Sequence, residues 1–138
     1  MEKKVISGRG AIGGKASGYA VVCPDSITGW RGIDPKTGII NDYGNLNKGK
    51  SIKDSILVIP GSKGSNGWSC YFSITRASGA TPSGMLVTKI DSSSAVAAVG
   101  MDIPVITDFD EANDPCRHIR TGDFVEMDSD TGLATYSR

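Results

Sequence analysis

The sequence predicts an α/β domain in three layers: a central parallel sheet, helices over one of its faces, and a second, antiparallel layer. Three observations predict it. Between Ile56 and Thr107, three strand-like apolar runs alternate with two helix-like segments, and a β-α-β-α-β order requires parallel strands joined by crossovers. Those runs are apolar throughout rather than alternating, as befits strands buried on both faces. The ends of the chain carry short strand candidates and a C-terminal hairpin signature, which read as antiparallel. At 138 residues, the chain 1–138 is expected to be a single domain large enough to bury a core.

The elements follow in order. Lys4 to Ser7 reads as a strand. The cluster Gly8, Gly10, Gly13, Gly14 and Gly18 reads as a glycine-rich connection to the next strand, Tyr19 to Val22. Gly8-Arg9-Gly10-Ala11-Ile12-Gly13 matches the dinucleotide pattern G-x-G-x-x-G, but that fingerprint needs a helix to open at the glycines. Here another glycine and then a strand follow. Asp34-Pro35-Lys36-Thr37-Gly38 is a turn in which Pro fixes φ and Gly takes positive φ. Asp42 to Asp54 is polar and reads as a surface connection. Ile56 to Ile59 is the first buried strand, and Trp68 to Ile74 continues as a helix with Ser65 or Asn66 near its N-cap. Gly79 to Gly84 stops that helix, and Met85 to Thr88 is a strand. Ser92 to Gly100 is a short capped helix ending on glycine, and Ile103 to Thr107 a further strand. Phe124 to Tyr136 is a hairpin around Asp128, Asp130 and Gly132.

Composition narrows the function. Formal net charge is zero, so neither nucleic acid nor an anionic membrane is an expected partner. No apolar run approaches the ~20 residues of a membrane span, and the N-terminus carries no signal-peptide core. Three widely spaced cysteines, Cys23, Cys70 and Cys116, suit a reducing cytoplasm better than a disulfide framework. His118 is the sole histidine; with Cys116 it makes one pair and no second pair completes a metal site, so no metal is expected on this chain. Trp68, Tyr71 and Phe72 read as core packing.

Chemistry concentrates in Pro60-Gly61-Ser62-Lys63-Gly64-Ser65-Asn66, between a buried strand and a helix. Helix-first-turn N–H groups lack intrahelical partners and carry partial positive charge. Such a loop can hold an anion or favour a hydroxyl losing its proton. It has neither Walker spacing nor the G-x-S-x-G of a nucleophile elbow. A self-contained serine hydrolase is not expected.

Three segments in this order and spacing resemble one family: Gly8-Arg9-Gly10 to Ala20, Trp30 to Gly38, and Leu57-Val58-Ile59-Pro60-Gly61-Ser62-Lys63-Gly64-Ser65 to Ser69. Together with Ala80-Thr81-Pro82 and Ile103-Pro104-Val105, they are similar to the small subunit of the aconitase X family, the phosphomevalonate dehydratase small-subunit-like domain. The resemblance implies a swivelling β/β/α domain and a separate large subunit carrying most of the active site and an iron–sulfur or iron centre. It also implies a cytoplasmic heterodimeric hydro-lyase acting on a hydroxy acid such as mevalonate 5-phosphate or cis-3-hydroxy-L-proline. Ser65 matches the serine taken as the family's catalytic base, and Ser62, Lys63, Gly64 and Asn66 flank it as substrate-binding positions. Lys63 stands where the family has arginine and Asn66 where it has a second serine. Lysine keeps the charge without the bidentate fork. The alternative is a non-catalytic swivelling or anion-binding module of a larger complex.

Overall fold

The computed structural model describes residues 2–29, 31–63 and 66–138. Among these residues, eight strands and three α-helices follow in the order β1 (Lys4–Ser7), β2 (Arg9–Ile12), β3 (Lys15–Val22), β4 (Ile56–Ile59), α1 (Asn66–Ser78), β5 (Gly84–Val87), α2 (Ser92–Met101), β6 (Val105–Thr107), α3 (Pro115–His118), β7 (Phe124–Asp128) and β8 (Leu133–Ser137). The strands pair in the order β1-β8-β7-β3-β4-β5-β6-β2. β3, β4, β5 and β6 run parallel, whereas β1, β8 and β7 are antiparallel.

The two predicted sheets are present, but one strand belongs to both. Lys15–Tyr19 of β3 pairs antiparallel with β7, and Ala20–Val22 pairs parallel with β4. The layers therefore join through β3, where the sequence suggested a Tyr19 strand confined to the antiparallel layer. Gly18 sits just before the changeover, where a Cβ would come within 2.7 Å of the Asp54 carbonyl oxygen.

Side-chain alternation along the parallel strands divides the core in two. Val21, Leu57, Ile59, Met85, Val87 and Val105 face α1 and α2, joining Trp68, Phe72, Ala97 and Ala98. Ala20, Val22, Ile56, Val58, Leu86 and Ile106 face the antiparallel sheet, meeting Ile6, Val125, Met127, Ala134 and Tyr136. This explains why β4 and β5 are apolar at every position. Each buried Val, Leu, Ile or Met side chain there contributes about 1.5–3 kcal/mol by leaving water.

Several local expectations change. The glycine cluster is more than a connection, because Arg9–Ile12 within it forms β2, antiparallel to β6 across an irregular register. Gly8, Gly10 and Gly18 in it answer to close backbone approach: a Cβ on Gly10 would lie 1.9 Å from the Ser129 carbonyl oxygen. α2 runs one residue past Gly100 and is closed by Asp102 in the left-handed region, φ 58°. Gly100 instead lets α1 approach, since its Cβ would meet Ser73 Oγ at 2.3 Å. Cys116 and His118 lie on the short α3, and His118 Nε2 is 2.7 Å from the Ala112 carbonyl oxygen. The Asp42–Asp54 stretch is not wholly superficial, because Asn47 and Ile52 within it are buried.

Candidate active site

The carboxyl ends of β3, β4 and β5 open onto one mouth, the usual ligand position in a parallel sheet. Cys23-Pro24-Asp25-Ser26 leaves β3, the Pro60–Lys63 segment leaves β4, and Thr88 to Asp91 leaves β5. The last two stay together beyond their strands: Thr88 N–H donates to the Ile59 carbonyl at 3.1 Å and Lys89 N–H to that of Pro60 at 3.1 Å. A polar cleft of about 500 Å³ opens here, lined among others by Asp25, Ser26, Asp42, Tyr43, Asn45 and Lys63.

Three bonds fix the floor of the cleft. Asn47 Nδ2 donates to the Val22 carbonyl at 2.6 Å, Asn47 N–H to Asn45 Oδ1 at 2.8 Å, and Thr28 N–H to Asp42 Oδ2 at 3.0 Å. Ser26 is buried with φ 62°, a conformation that costs a non-glycine residue energy. Its Oγ donates to the Gly61 carbonyl. The Cys23 thiol lies between Asn45 and Asn47; burial pushes its pKa up, against the lowering effect of contacts with Asn47 and Asn45.

On the far side, Asp91 caps α2 and reaches the loop. Its Oδ1 accepts from Ser94 N–H at 2.9 Å and Ser94 Oγ at 2.6 Å. Its Oδ2 accepts from Ser62 N–H at 3.1 Å and Ser62 Oγ at 2.8 Å. Partial burial works to raise the Asp91 pKa, but the bonds from Ser94 and Ser62 together outweigh it and hold the carboxyl below its ordinary range. α1 is anchored at its first turn, where Trp68 Nε1 donates to the Ile27 carbonyl at 2.8 Å and the indole stacks on Phe72 at 4.2 Å.

Of the residues singled out in the sequence, Ser62 is half-buried against Asp91 and Lys63 is exposed on the cleft wall. Gly64, Ser65 and the side chain of Asn66 lie outside the described residues; α1 begins at Asn66, immediately after Ser65. Asp91, Ser26, Asn45 and Asn47 were missed. Asp91 had a readable signal, since Asp91-Ser92-Ser93-Ser94 has a capping residue followed three positions later by a hydroxyl. The other three act through long-range contacts that no local pattern encodes. Among the described residues, no three His, Cys, Asp or Glu side chains gather as a metal ion needs. No helix of the described residues is long and apolar enough to cross a membrane.

Fold and site define a β/β/α domain that presents a glycine- and serine-rich loop beside a polar cleft at the ends of its parallel strands. The aconitase X swivel domain matches residues 5–136, and the chain belongs to that family. It is similar to the phosphomevalonate dehydratase small subunit of Methanocella arvoryzae, 33% identical over 96% of this chain and 98% of the relative. The subunit of the same description from Thermococcus sibiricus is 32% identical, over 92% and 94% of the two chains. Among solved structures, a chain of holo aconitase X from Thermococcus kodakaraensis superposes with a TM-score of 0.86 at 30% identity, over 98% and 99% of the chains. A UPF0107 protein solved by solution NMR gives 0.85 at 31% identity, over 98% and 100%.

Proposed function

We propose that this chain, as a single swivelling domain, is the small subunit of a two-subunit hydro-lyase that dehydrates a hydroxy acid. A large subunit completes its site. The observation carrying this reading is the Gly61–Lys63 segment, which leaves β4 beside the cleft, in a chain matched over 96% of its length by a phosphomevalonate dehydratase small subunit. Mevalonate 5-phosphate, the substrate those names carry, is the first to assay and cis-3-hydroxy-L-proline the second.

Dehydration needs a base for the carbon-bound proton and an acid for the departing hydroxyl. Ser65 is the base in this reading. Free serine hydroxyls are too weakly acidic, so its alkoxide needs stabilisation from the first-turn N–H groups of α1 and the nearby Lys63 ammonium. Closure of the large subunit over the mouth would exclude water and strengthen both effects. In this reading an iron–sulfur or iron centre is held by the large subunit. Bound there, that centre would supply the Lewis acid for the leaving hydroxyl.

The test uses this chain with the large subunit co-purified from its native cell. Turnover is expected from the pair and not from this chain alone; turnover by the isolated chain would overturn the assignment. In the pair, Ser65→Ala is expected to lower kcat by about 10²–10⁴-fold with assembly intact. Lys63→Ala is expected mainly to raise KM. Wild-type kcat in Ser65→Ala would leave the loop as an anion-binding or capping element of a non-catalytic module.

A further inference from the structure

We propose that Asp91 and Ser26 are positioning residues that grip the two ends of one peptide group, Gly61–Ser62, and so aim the loop that follows it. This rests on the reading of that loop as the carrier of the base. A peptide group is planar, with its C=O and N–H on opposite sides. Its remaining freedom is rotation of that plane between two α-carbons, and glycine at one end leaves the rotation nearly unopposed. Here the carbonyl end accepts from Ser26 Oγ, and the N–H end donates to Asp91 Oδ2 at 3.1 Å. Ser62 Oγ donates to the same carboxylate oxygen at 2.8 Å, which fixes the side chain with its backbone.

Each grip is set before it closes on the loop. Ser26 N–H donates to the Cys23 carbonyl at 2.9 Å, the Ser26 carbonyl accepts from Asn45 Nδ2 at 3.3 Å, and the residue is only 3% exposed. Asp91 is locked by the capping box with Ser94. Capping of α2 occupies Oδ1 alone; Oδ2 is given to Ser62. Gly61 permits the approach, because a Cβ there would lie 3.2 Å from the Lys89 carbonyl oxygen and 3.4 Å from Asp91 Oδ2. The two grips arise after β3 and after β5, so the root of the loop is tied to the strands on both sides of β4.

Two variants separate aiming from folding. Asp91→Asn keeps an oxygen for the helix cap, at which Asn is as good as Asp, but turns an NH₂ donor toward the Ser62 donors. Ser26→Gly accepts the positive φ without strain and deletes the hydroxyl. In the two-subunit complex, each is expected to lower kcat by about 10–100-fold, the scale of a small misplacement at a reacting group, with KM within about threefold. In the full chain, amide exchange at Ser62 is expected to quicken by about tenfold or more in Asp91→Asn, with Leu57 and Leu86 unchanged. Unchanged Ser62 exchange in Asp91→Asn would overturn the proposal. So would wild-type kcat in both variants when Ser65→Ala is inactive. Should Ser65→Ala itself keep wild-type kcat, the base assignment fails, while the Ser62 exchange still decides whether the grip exists.

Discussion

Three thiols in one short chain have three different surroundings. Cys70 is exposed on α1, Cys23 is buried beneath the cleft, and burial pushes the half-buried Cys116 up to about 11, against a lowering contact from Thr88. The thiolate is the reactive form. Iodoacetamide at about pH 8 is therefore expected to alkylate Cys70 first, and Cys23 and Cys116 at least about tenfold more slowly, as mass mapping of the free chain would read. The same burial makes stability pH-dependent. In the unfolded chain Cys116 ionises near 8.5, whereas in the folded chain it stays protonated to about 11. Its contribution is whole below about 8.5 and falls as pH rises toward about 11, so the urea midpoint should drop across that window and drop less in Cys116→Ala. Asp91 behaves oppositely: its lowered pKa stabilises above the ordinary carboxylate range and is lost as pH falls through its folded value.

At the scale of elements, the glycine cluster tests whether close approach or turn geometry placed those residues. Gly10→Ala would set a methyl against the Ser129 carbonyl oxygen, a backbone atom that cannot turn aside, and is expected to cost about 1–3 kcal/mol in urea unfolding. Gly13→Ala would meet only the Asp130 carboxylate at 3.3 Å and should stay within about 0.5 kcal/mol. The sequence shows that glycines crowd here, yet it cannot show that two sheets nearly touch at Gly10. Elements with a strong local signal were legible: β4, β5, the turn at Asp34–Gly38, and the hairpin of β7 and β8. What stayed hidden depends on partners far along the chain. β2 exists because β6 offers an edge, and β3 changes sheets because β7 and β4 claim its two halves. The site divides in the same way. The loop after Ile59 was readable from its residues, whereas Ser26 reaches it from the segment after β3, and Asn45 and Asn47 brace that segment and β3 from a stretch that reads as a surface connection.

For the whole molecule, two cores share one four-residue-deep wall of parallel strand, since β4 and β5 face helices on one side and the antiparallel sheet on the other. The crossover joining β3 to β4 differs from the next two, for it carries no helix or paired strand longer than a single bridge among its described residues. Ile27, Ile33, Ile40 and Ile52 give it the apolar face that a helix would otherwise supply. Its backbone is held by turns and bridges, such as Ile40 N–H to the Lys50 carbonyl at 2.8 Å and Ile52 N–H to that of Gly38 at 2.9 Å. The consequence lies in the order of folding. A long excursion without local hydrogen-bond ladders must bear its closure entropy before its contacts form, whereas β4-α1-β5-α2-β6 assembles from near neighbours. In pulse-labelled refolding, amides of β4, β5 and β6 should be protected first and those of Ile40 and Ile52 last; the reverse order would contradict this. The cleft wall that this excursion builds would then be the final part of the chain to take shape, and a nascent molecule would hold the root of the loop after β4 before it held the Ser26 contact that steadies it.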